Sequence, residues 1–317
     1  MKPVCISIGI PLIAAAAVLA LSHLLYRLAF VVRRAKTLDP RRVPRSEQYA
    51  PLRERMLSMI DSAAAIPFQP VETQSTDGLT LRGRYYETAP GAPMQILFHG
   101  YRSTGVRDFC GGLPQALQDG YNVLLVDQRA HSASDGECLT FGIREREDCL
   151  EWVRFALKRF GPETKITLVG VSMGAATVLM ASELPLPENV TGIIADCGYS
   201  SPEGILKKVI RDRHGPAGLM LPLLRLGARL FGEFDLRAAS AEEALKKCKI
   251  PVLLLHGEDD HFVPCEMSRV NYAACASEKT LATFPGAGHA LSYLIDRDKY
   301  TRAAHDFLGR TNPVKRP

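Results

Sequence analysis

The chain has 317 residues, of which 46% are hydrophobic and 23% are charged, so it holds enough apolar material for one large domain and an accessory segment. Its net charge of +5 is uneven: residues 1–45 carry eight basic side chains and one acidic one, a local charge of +7, which leaves −2 for the rest. The folded body therefore lacks the basic balance typical of nucleic-acid-binding domains, and no nucleic-acid partner is expected.

The N-terminus has the composition of a membrane anchor. Residues 3–26 hold no Asp, Glu, Lys or Arg, and at about 1.5 Å per residue this stretch reaches across a hydrocarbon core of about 30 Å. A cleaved signal peptide is the alternative, but its apolar region is usually shorter, about 7–15 residues. Residues 1–32 are therefore predicted to be a single-pass transmembrane anchor. Because most basic residues follow the span, the body is predicted to face the cytoplasm.

Residues 33–70 form a predicted juxtamembrane connector. The stretch begins basic and proline-punctuated, and Met56, Leu57 and Ile60 then recur at helical spacing within a candidate amphipathic helix, 46–65. Two positions for this helix remain open, one on the domain and one on the lipid surface.

The eight cysteines include no Cys-x-x-Cys pair and no zinc-finger spacing with histidine. They are expected to be reduced, buried, small apolar residues, and no disulfide framework or metal site is expected from them.

Residues 71–310 alternate strand-like and helix-like runs after a hairpin signal at Asp77-Gly78. This alternation predicts a mostly parallel, doubly wound α/β sheet, which binds its ligands at the carboxyl ends of the strands. The predicted strands span 71–76, 79–86, 94–98, 122–126, 166–169, 190–195, 250–255 and 280–284.

The most informative stretch surrounds Ser172. An apolar, β-branched run ends at Gly170-Val171-Ser172-Met173-Gly174, and a small-residue helical run begins at Ala175. A strand, a sharp turn with serine at its apex and a helix define a nucleophile elbow, in which residues two positions away on either side must lack side chains. Later strands end at His256-Gly257-Glu258-Asp259-Asp260 and Pro285-Gly286-Ala287-Gly288-His289, which gives the chain order serine, acid, histidine.

From about residue 71 to 308 the chain resembles the serine α/β-hydrolases, and it is most similar to membrane-anchored, esterase-like or aminopeptidase-like members with a short cap. Four motifs carry the resemblance: His99-Gly100-Tyr101, the 127–134 loop, the elbow, and the acid and histidine loops. The 127–134 loop departs from the family pattern, with Ala130 and Ser132 where glycines are common. The resemblance implies an α/β-hydrolase fold, a helical cap inserted at 198–248, and no metal or other cofactor.

Catalytic roles follow from the chemistry and the resemblance together. Ser172 is the expected nucleophile and His289 its general base, because a serine hydroxyl attacks only when a base takes its proton. The resemblance assigns the acid to Asp260 rather than to its neighbour Asp259. Two backbone N–H groups, those of Tyr101 and Met173, are the expected oxyanion donors.

Two further side chains, those of Arg102 and Tyr199, are predicted to contact substrate, although Arg102 also fits a solvated surface position. The apolar cap has two interpretations: a lid for acyl or aromatic groups, or helices that cover the sheet edge. The predicted activity is hydrolysis of small-molecule carboxylic esters or thioesters through an acyl-enzyme. The alternatives are a serine aminopeptidase acting on peptides, with Glu137, Glu145 or Glu203 holding the substrate amine, and a non-catalytic scaffold.

Overall fold

A computed structural model describes residues 4–32 and 39–314, with side chains from Leu12 onward. One eight-stranded sheet in the order β1-β2-β4-β3-β5-β6-β7-β8 organises this part of the chain. β2 pairs antiparallel with both β1 and β4, and the remaining pairs are parallel. The predicted doubly wound α/β sheet is confirmed.

The eight predicted strands all form, with boundaries shifted by at most two residues. They are β1 Gln69–Gln74, β2 Thr80–Tyr86, β3 Met94–Phe98, β4 Asn122–Asp127, β5 Ile166–Val171, β6 Val190–Asp196, β7 Val252–Gly257 and β8 Lys279–Phe284. The helices are α1 Val4–Ala29, α2 Arg53–Ala64, α3 Gly105–Asp108, α4 Gly112–Gln118, α5 Glu145–Phe160, α6 Met173–Ala181, α7 Pro202–Asp212, α8 Ala217–Phe231, α9 Ala241–Leu245, α10 Cys265–Ala274, α11 Ser292–Ile295 and α12 Arg297–Thr311.

The central strands β3 to β7 are buried on both faces of the sheet, as their continuous apolar runs require. Alternate side chains of β3 and β4 point into two separate apolar clusters, with Ile96 and Leu124 in one and Leu97 and Val123 in the other. α5 and α6 cover the first face, while α2, α4 and α12 cover the second. This layering brings the carboxyl ends of β3, β5, β6 and β7 to one edge of the sheet.

The 127–134 loop explains why glycine is frequent at two of its positions. Ala130 and Ser132 both have positive φ, 63° and 45°, a region in which a Cβ atom is disfavoured. Ala130 and Ser132 therefore adopt the left-handed backbone conformation that glycine favours, although neither is a glycine.

Helix α1 has two differently exposed parts. Its window Leu12–Ala29 is long and apolar enough to cross a membrane, with a mean hydropathy of 1.8, a property that signal sequences share. Toward the C-terminus, Ser22, Leu25 and Tyr26 are buried, and a Cβ atom on Gly227 of α8 would lie only 2.5 Å from the Ser22 carbonyl oxygen. The end of α1 therefore packs directly on the cap. Three of the basic residues that underlie the orientation prediction, Arg33, Arg34 and Lys36, lie outside the described residues.

The predicted cap contains α7, α8 and α9. Its central residues Leu223, Leu224 and Ala228 are buried in the same apolar cluster as Tyr26 and Phe30 of the N-terminal segment. Of the two interpretations of this insertion, the packing of its apolar residues within the protein is the one that these contacts favour.

Seven of the cysteines lie among the residues with described side chains, and all seven are free thiols, six of them buried.

Candidate active site

Ser172 lies at the sharp turn between β5 and α6, with φ 56° and ψ −115°. For a non-glycine residue this conformation is strained, and such strain is concentrated at functional sites. The two glycines of the motif are required by close backbone packing. A Cβ atom on Gly170 would lie 2.3 Å from the Gly174 carbonyl group, and one on Gly174 would lie 1.9 Å from the Phe98 carbonyl oxygen.

The structure brings Ser172, His289 and Asp260 together from three separate strand ends. His289 Nε2 lies 3.0 Å from Ser172 Oγ, and His289 Nδ1 lies 2.6 Å from Asp260 Oδ2. Both distances are within hydrogen-bonding range, and together they form a continuous serine–histidine–aspartate chain.

Asp260 is held by more than the histidine. Its Oδ1 accepts hydrogen bonds from the backbone N–H groups of Phe262 and Val263, both 2.8 Å long. Burial alone would raise the pKa of Asp260, but the neighbouring His289 and His256 outweigh that effect and hold the pKa well below its usual range. The carboxylate is therefore ionised over the neutral pH range. The adjacent Asp259 side chain is exposed.

Two other histidines, His256 and His305, could be considered as alternative bases, but both have structural partners. His256 is fully buried, with Nδ1 2.6 Å from Ser268 Oγ and Nε2 2.8 Å from the Val263 carbonyl oxygen. His305 is exposed and pairs with Asp119 at 2.7 Å.

The predicted oxyanion donors flank the serine. The loop after β3 approaches it closely, because a Cβ atom on Gly100 would lie 3.2 Å from Ser172 Cβ. Asp108 fixes this loop by accepting a 2.7 Å hydrogen bond from the Gly100 N–H. Within the described chain, neither the Tyr101 nor the Met173 N–H donates to a protein acceptor, so both remain available to a ligand.

The side chains of Arg102 and Tyr199, which were predicted to contact substrate, do not line the cavity at Ser172 and His289. The Arg102 guanidinium donates to the carbonyl oxygens of Leu28 and Val31, at 3.0 and 2.9 Å, and so caps the end of α1. The Tyr199 hydroxyl is buried and donates to the Phe141 carbonyl oxygen at 2.9 Å. Both predictions are corrected, because the polar groups of these side chains are engaged with the protein backbone.

A cavity of about 500 Å³ opens at Ser172 and His289. Its volume falls in the range of small-molecule binding sites, about 300–1,000 Å³. Residues from four parts of the chain line it: Pro44, Ser46, Gln48, Tyr49, Met56 and Met59 before β1; Gly100, Tyr101, Ser103, Arg107, Asp108, Phe109, Cys110, Gly111 and Gly112 after β3; Val171, Ser172 and Asp196; and His261, Phe262, His289, Ala290, Tyr293, Leu294 and Tyr300 near the C-terminus.

The contribution of residues 44–59 to this cavity was not foreseen. The sequence left open whether α2 lies on the domain or on lipid, and the structure places it on the domain, with Met56 and Ile60 buried. The helical spacing of its apolar residues identified the buried face, but nothing local to the segment indicated that this face meets the active site.

Asp196, which ends β6 and is the other acid that the sequence offers for the triad, also lines the cavity. Its backbone carbonyl accepts from the Ser172 N–H at 2.8 Å, and its Oδ2 accepts from the Tyr300 hydroxyl at 3.1 Å. Its Oδ1 is buried without a hydrogen-bond partner among the described protein atoms. The side chain makes no hydrogen bond to His289 within the described chain, so it does not replace Asp260 as the acid.

Burial raises the pKa of Asp196 from 3.8 to about 6. Between these values the folded state binds more protons than the unfolded state, so the unfolding free energy falls as the pH rises. Ionisation of the buried Asp196 carboxyl group therefore destabilises the folded state. Because asparagine does not ionise, we expect Asp196→Asn to raise the unfolding free energy by about 3 kcal/mol above pH 7 and by much less at pH 4.5. Thermal unfolding of the full chain in detergent at both pH values measures the difference, and an equal change at the two values would contradict the assignment.

One group of potential metal ligands lies at the same place. Polar atoms of Cys197, Asp260 and His289 lie within 4.8 Å of one another. Burial raises the pKa of the Cys197 thiol well above its usual range, whereas a metal binds the thiolate. His289 Nδ1 is also within hydrogen-bonding range of Asp260, and His289 Nε2 is within range of Ser172. Because both ring nitrogens are engaged in this way, the residues fit a catalytic triad better than a metal site.

Comparison with known proteins also indicates a hydrolase fold. The family model described as the α/β-hydrolase fold matches residues 96–224, and the one described as serine aminopeptidase S33 matches residues 220–296. The chain is 28% identical to YqkD of Bacillus subtilis over 197 residues, which cover 62% of this chain but only 65% of YqkD, slightly under two thirds. It is 24% identical to the protein bem46 of Schizosaccharomyces pombe over 263 residues, 79% of each chain.

Among solved structures, the Pyrococcus furiosus esterase Pf2001 superposes with a TM-score of 0.65 at 20% identity, covering 79% of this chain and 93% of that one. This likeness concerns the fold. The sheet order, the elbow and the two matching family models show that the chain has the α/β-hydrolase fold. This fold supports hydrolase activity.

Proposed function

We propose that this protein is a serine hydrolase that cleaves carboxylic ester or thioester bonds. The observation that carries the proposal is the hydrogen-bonded chain from Ser172 through His289 to Asp260, opening onto an apolar-walled cavity. A hydroxyl, a base and an orienting carboxylate in this arrangement are the working parts of acyl transfer.

In the proposed reaction, Ser172 Oγ attacks the substrate carbonyl carbon while His289 Nε2 takes the hydroxyl proton. The Tyr101 and Met173 N–H groups stabilise the resulting oxyanion. As the acyl–oxygen or acyl–sulfur bond breaks, His289 gives its proton to the leaving alkoxide or thiolate. A water molecule, deprotonated by His289, then attacks the acyl-enzyme, and the carboxylic acid leaves as Ser172 regains its proton.

Asp260 acts throughout as the orienting acid. It accepts a hydrogen bond from the Nδ1–H of His289, which leaves Nε2 free to accept the proton of Ser172, and its negative charge stabilises the imidazolium. The backbone donors at Phe262 and Val263 hold the carboxylate in place.

A serine aminopeptidase with the same triad is the second candidate, and one family model carries that description. None of the three glutamates considered for binding the substrate amine is among the described residues that line the cavity. Glu145 accepts hydrogen bonds from Thr140 and the Gly142 N–H, Glu203 pairs with Arg225 and Arg237, and Glu137 is exposed. These positions favour the ester or thioester substrate.

The experiment uses the full chain in detergent micelles. A fluorophosphonate probe should attach to Ser172, and p-nitrophenyl esters should be hydrolysed faster than aminoacyl-anilides. Turnover of anilides alone would support the peptidase instead. If Ser172 is not labelled and neither substrate is cleaved, the protein is a non-catalytic scaffold.

We also propose the domain arrangement and location: an anchor at 1–32, a connector at 33–70 and a hydrolase domain at 71–310 that faces the cytoplasm. Support comes from the apolar helix and from the basic residues that follow it in the sequence. Protease added to intact cells should leave the body undigested, whereas digestion from outside would reverse the orientation.

A further inference from the structure

One wall of the cavity is formed by residues from 44–59, a segment that we call the connector lid. This segment ends in the first turns of α2 and contributes Tyr49, Met56 and Met59 to the cavity. Among the described lining residues, none comes from the insertion at 198–248. The position that a cap is expected to occupy is thus taken by the segment between the anchor and the domain.

The connector lid is fastened to the loops that carry the proposed catalytic groups. The Tyr49 hydroxyl is part of a buried side chain and donates to the carbonyl oxygen of His289 at 2.6 Å. The Gln48 side-chain amide donates to the carbonyl oxygen of Asp259 at 2.6 Å. These bonds fix the lid relative to the histidine and acid loops.

The other end of the lid is fixed in the same way. Arg55 donates to the carbonyl oxygen of Leu294, and Arg53 donates to that of Val43, both at 3.1 Å. The helix therefore presents its Met56 and Met59 side chains to the cavity from a defined position.

The chemistry of the walls indicates what they bind. Two thioether side chains face an enclosure completed by Phe109, Tyr293 and Leu294. Methionine is unbranched and polarizable, and it adapts to flexible apolar ligands. Such a surface suits an alkyl chain, and it lines the same cavity as the serine that would carry the acyl group.

We propose that the connector lid is the acyl-chain subsite of this enzyme, and that Met59 sets the length of the acyl group accepted. The inference rests on the proposed serine hydrolase function and adds its substrate class: esters or thioesters of aliphatic carboxylic acids. Met59 is the residue to test because it is only half-buried and faces the cavity, whereas Met56 also belongs to the apolar core.

The test compares p-nitrophenyl acetate, butyrate, octanoate and decanoate with the full chain in detergent. In Met59→Trp the larger side chain should fill part of the subsite, lowering kcat/KM for octanoate and decanoate by at least about tenfold relative to acetate. In Met59→Ala the cavity gains room, and the preference should move toward decanoate. The matched control is Ser58→Trp, which places the same side chain on the exposed face of α2 and should keep the wild-type chain-length profile.

Profiles that stay parallel to wild type in both Met59 variants would overturn the proposal. It would also be overturned if Ser58→Trp changed the profile as much as Met59→Trp does. Labelling of Ser172 with a small ethyl fluorophosphonate separates the two hypotheses. Normal labelling with an unchanged profile would reject only the subsite, whereas an unlabelled wild-type protein would reject the hydrolase and the subsite together.

Discussion

Ser172→Ala is expected to lower kcat for ester hydrolysis by about 10⁴–10⁶-fold, because it removes the hydroxyl that lies within reach of His289 and is positioned to form the acyl-enzyme. The reaction that remains would depend on oxyanion stabilisation and binding alone. Measurement needs p-nitrophenyl butyrate turnover by purified wild-type and variant chains, with fluorophosphonate labelling in parallel.

The substitution is small, and alanine meets the same positive φ that serine already adopts, so the fold should be retained. Circular dichroism and thermal unfolding of the variant serve as the control. Residual turnover above about one hundredth of wild type, with the fold intact, would show that another residue acts as the nucleophile.

Asp260→Asn is expected to lower kcat by about 10⁴-fold with little change in the position of the loop. Asparagine can still accept the N–H groups of Phe262 and Val263 through its oxygen, which leaves its NH₂ group facing His289 Nδ1. Histidine must then carry its proton on Nε2, where it can no longer accept the proton of Ser172. The readout is the same ester assay together with its pH profile.

The neighbouring residue supplies the matched control. Asp259→Asn makes the identical chemical change one position earlier, on an exposed side chain, and should alter kcat by no more than about twofold. A larger loss in Asp259→Asn than in Asp260→Asn would transfer the acid role to Asp259.

The elbow and the triad loops could be predicted because their determinants are local. Gly170 is required by a contact with Gly174 inside one strand-turn-helix unit, while Gly174 itself packs on the end of β3. The glycine spacing around Ser172 is nevertheless a short motif, and the polar loops at 256–264 and 285–290 directly follow strands β7 and β8. Chain order and the parallel sheet then bring Ser172, Asp260 and His289 to one edge.

The remainder of the site depends on contacts between distant parts of the chain. Tyr49 and His289 are 240 positions apart, and Arg102 and Leu28 are 74 apart. A sequence pattern shows that α2 has an apolar face and that Arg102 follows a strand, but not which carbonyl group or cavity each will meet. For the same reason the apolar residues of 198–248 were compatible with both a lid and a packed insertion.

The docking of α1 onto the cap has a mechanical consequence. Ser22 of α1 lies against Gly227, and the end of α1 is held by the Tyr101 hydroxyl and the Arg102 guanidinium. A helix joined in this way transmits its tilt to the whole domain. The outer part of the helix, residues 4–21, is about 27 Å long. If this part lies in a bilayer, the mouth of the cavity stays at a fixed distance from the lipid surface and in a fixed orientation to it. Such an enzyme would meet membrane-borne substrates by lateral diffusion of the anchored protein, and not by reorientation of the domain on a flexible linker.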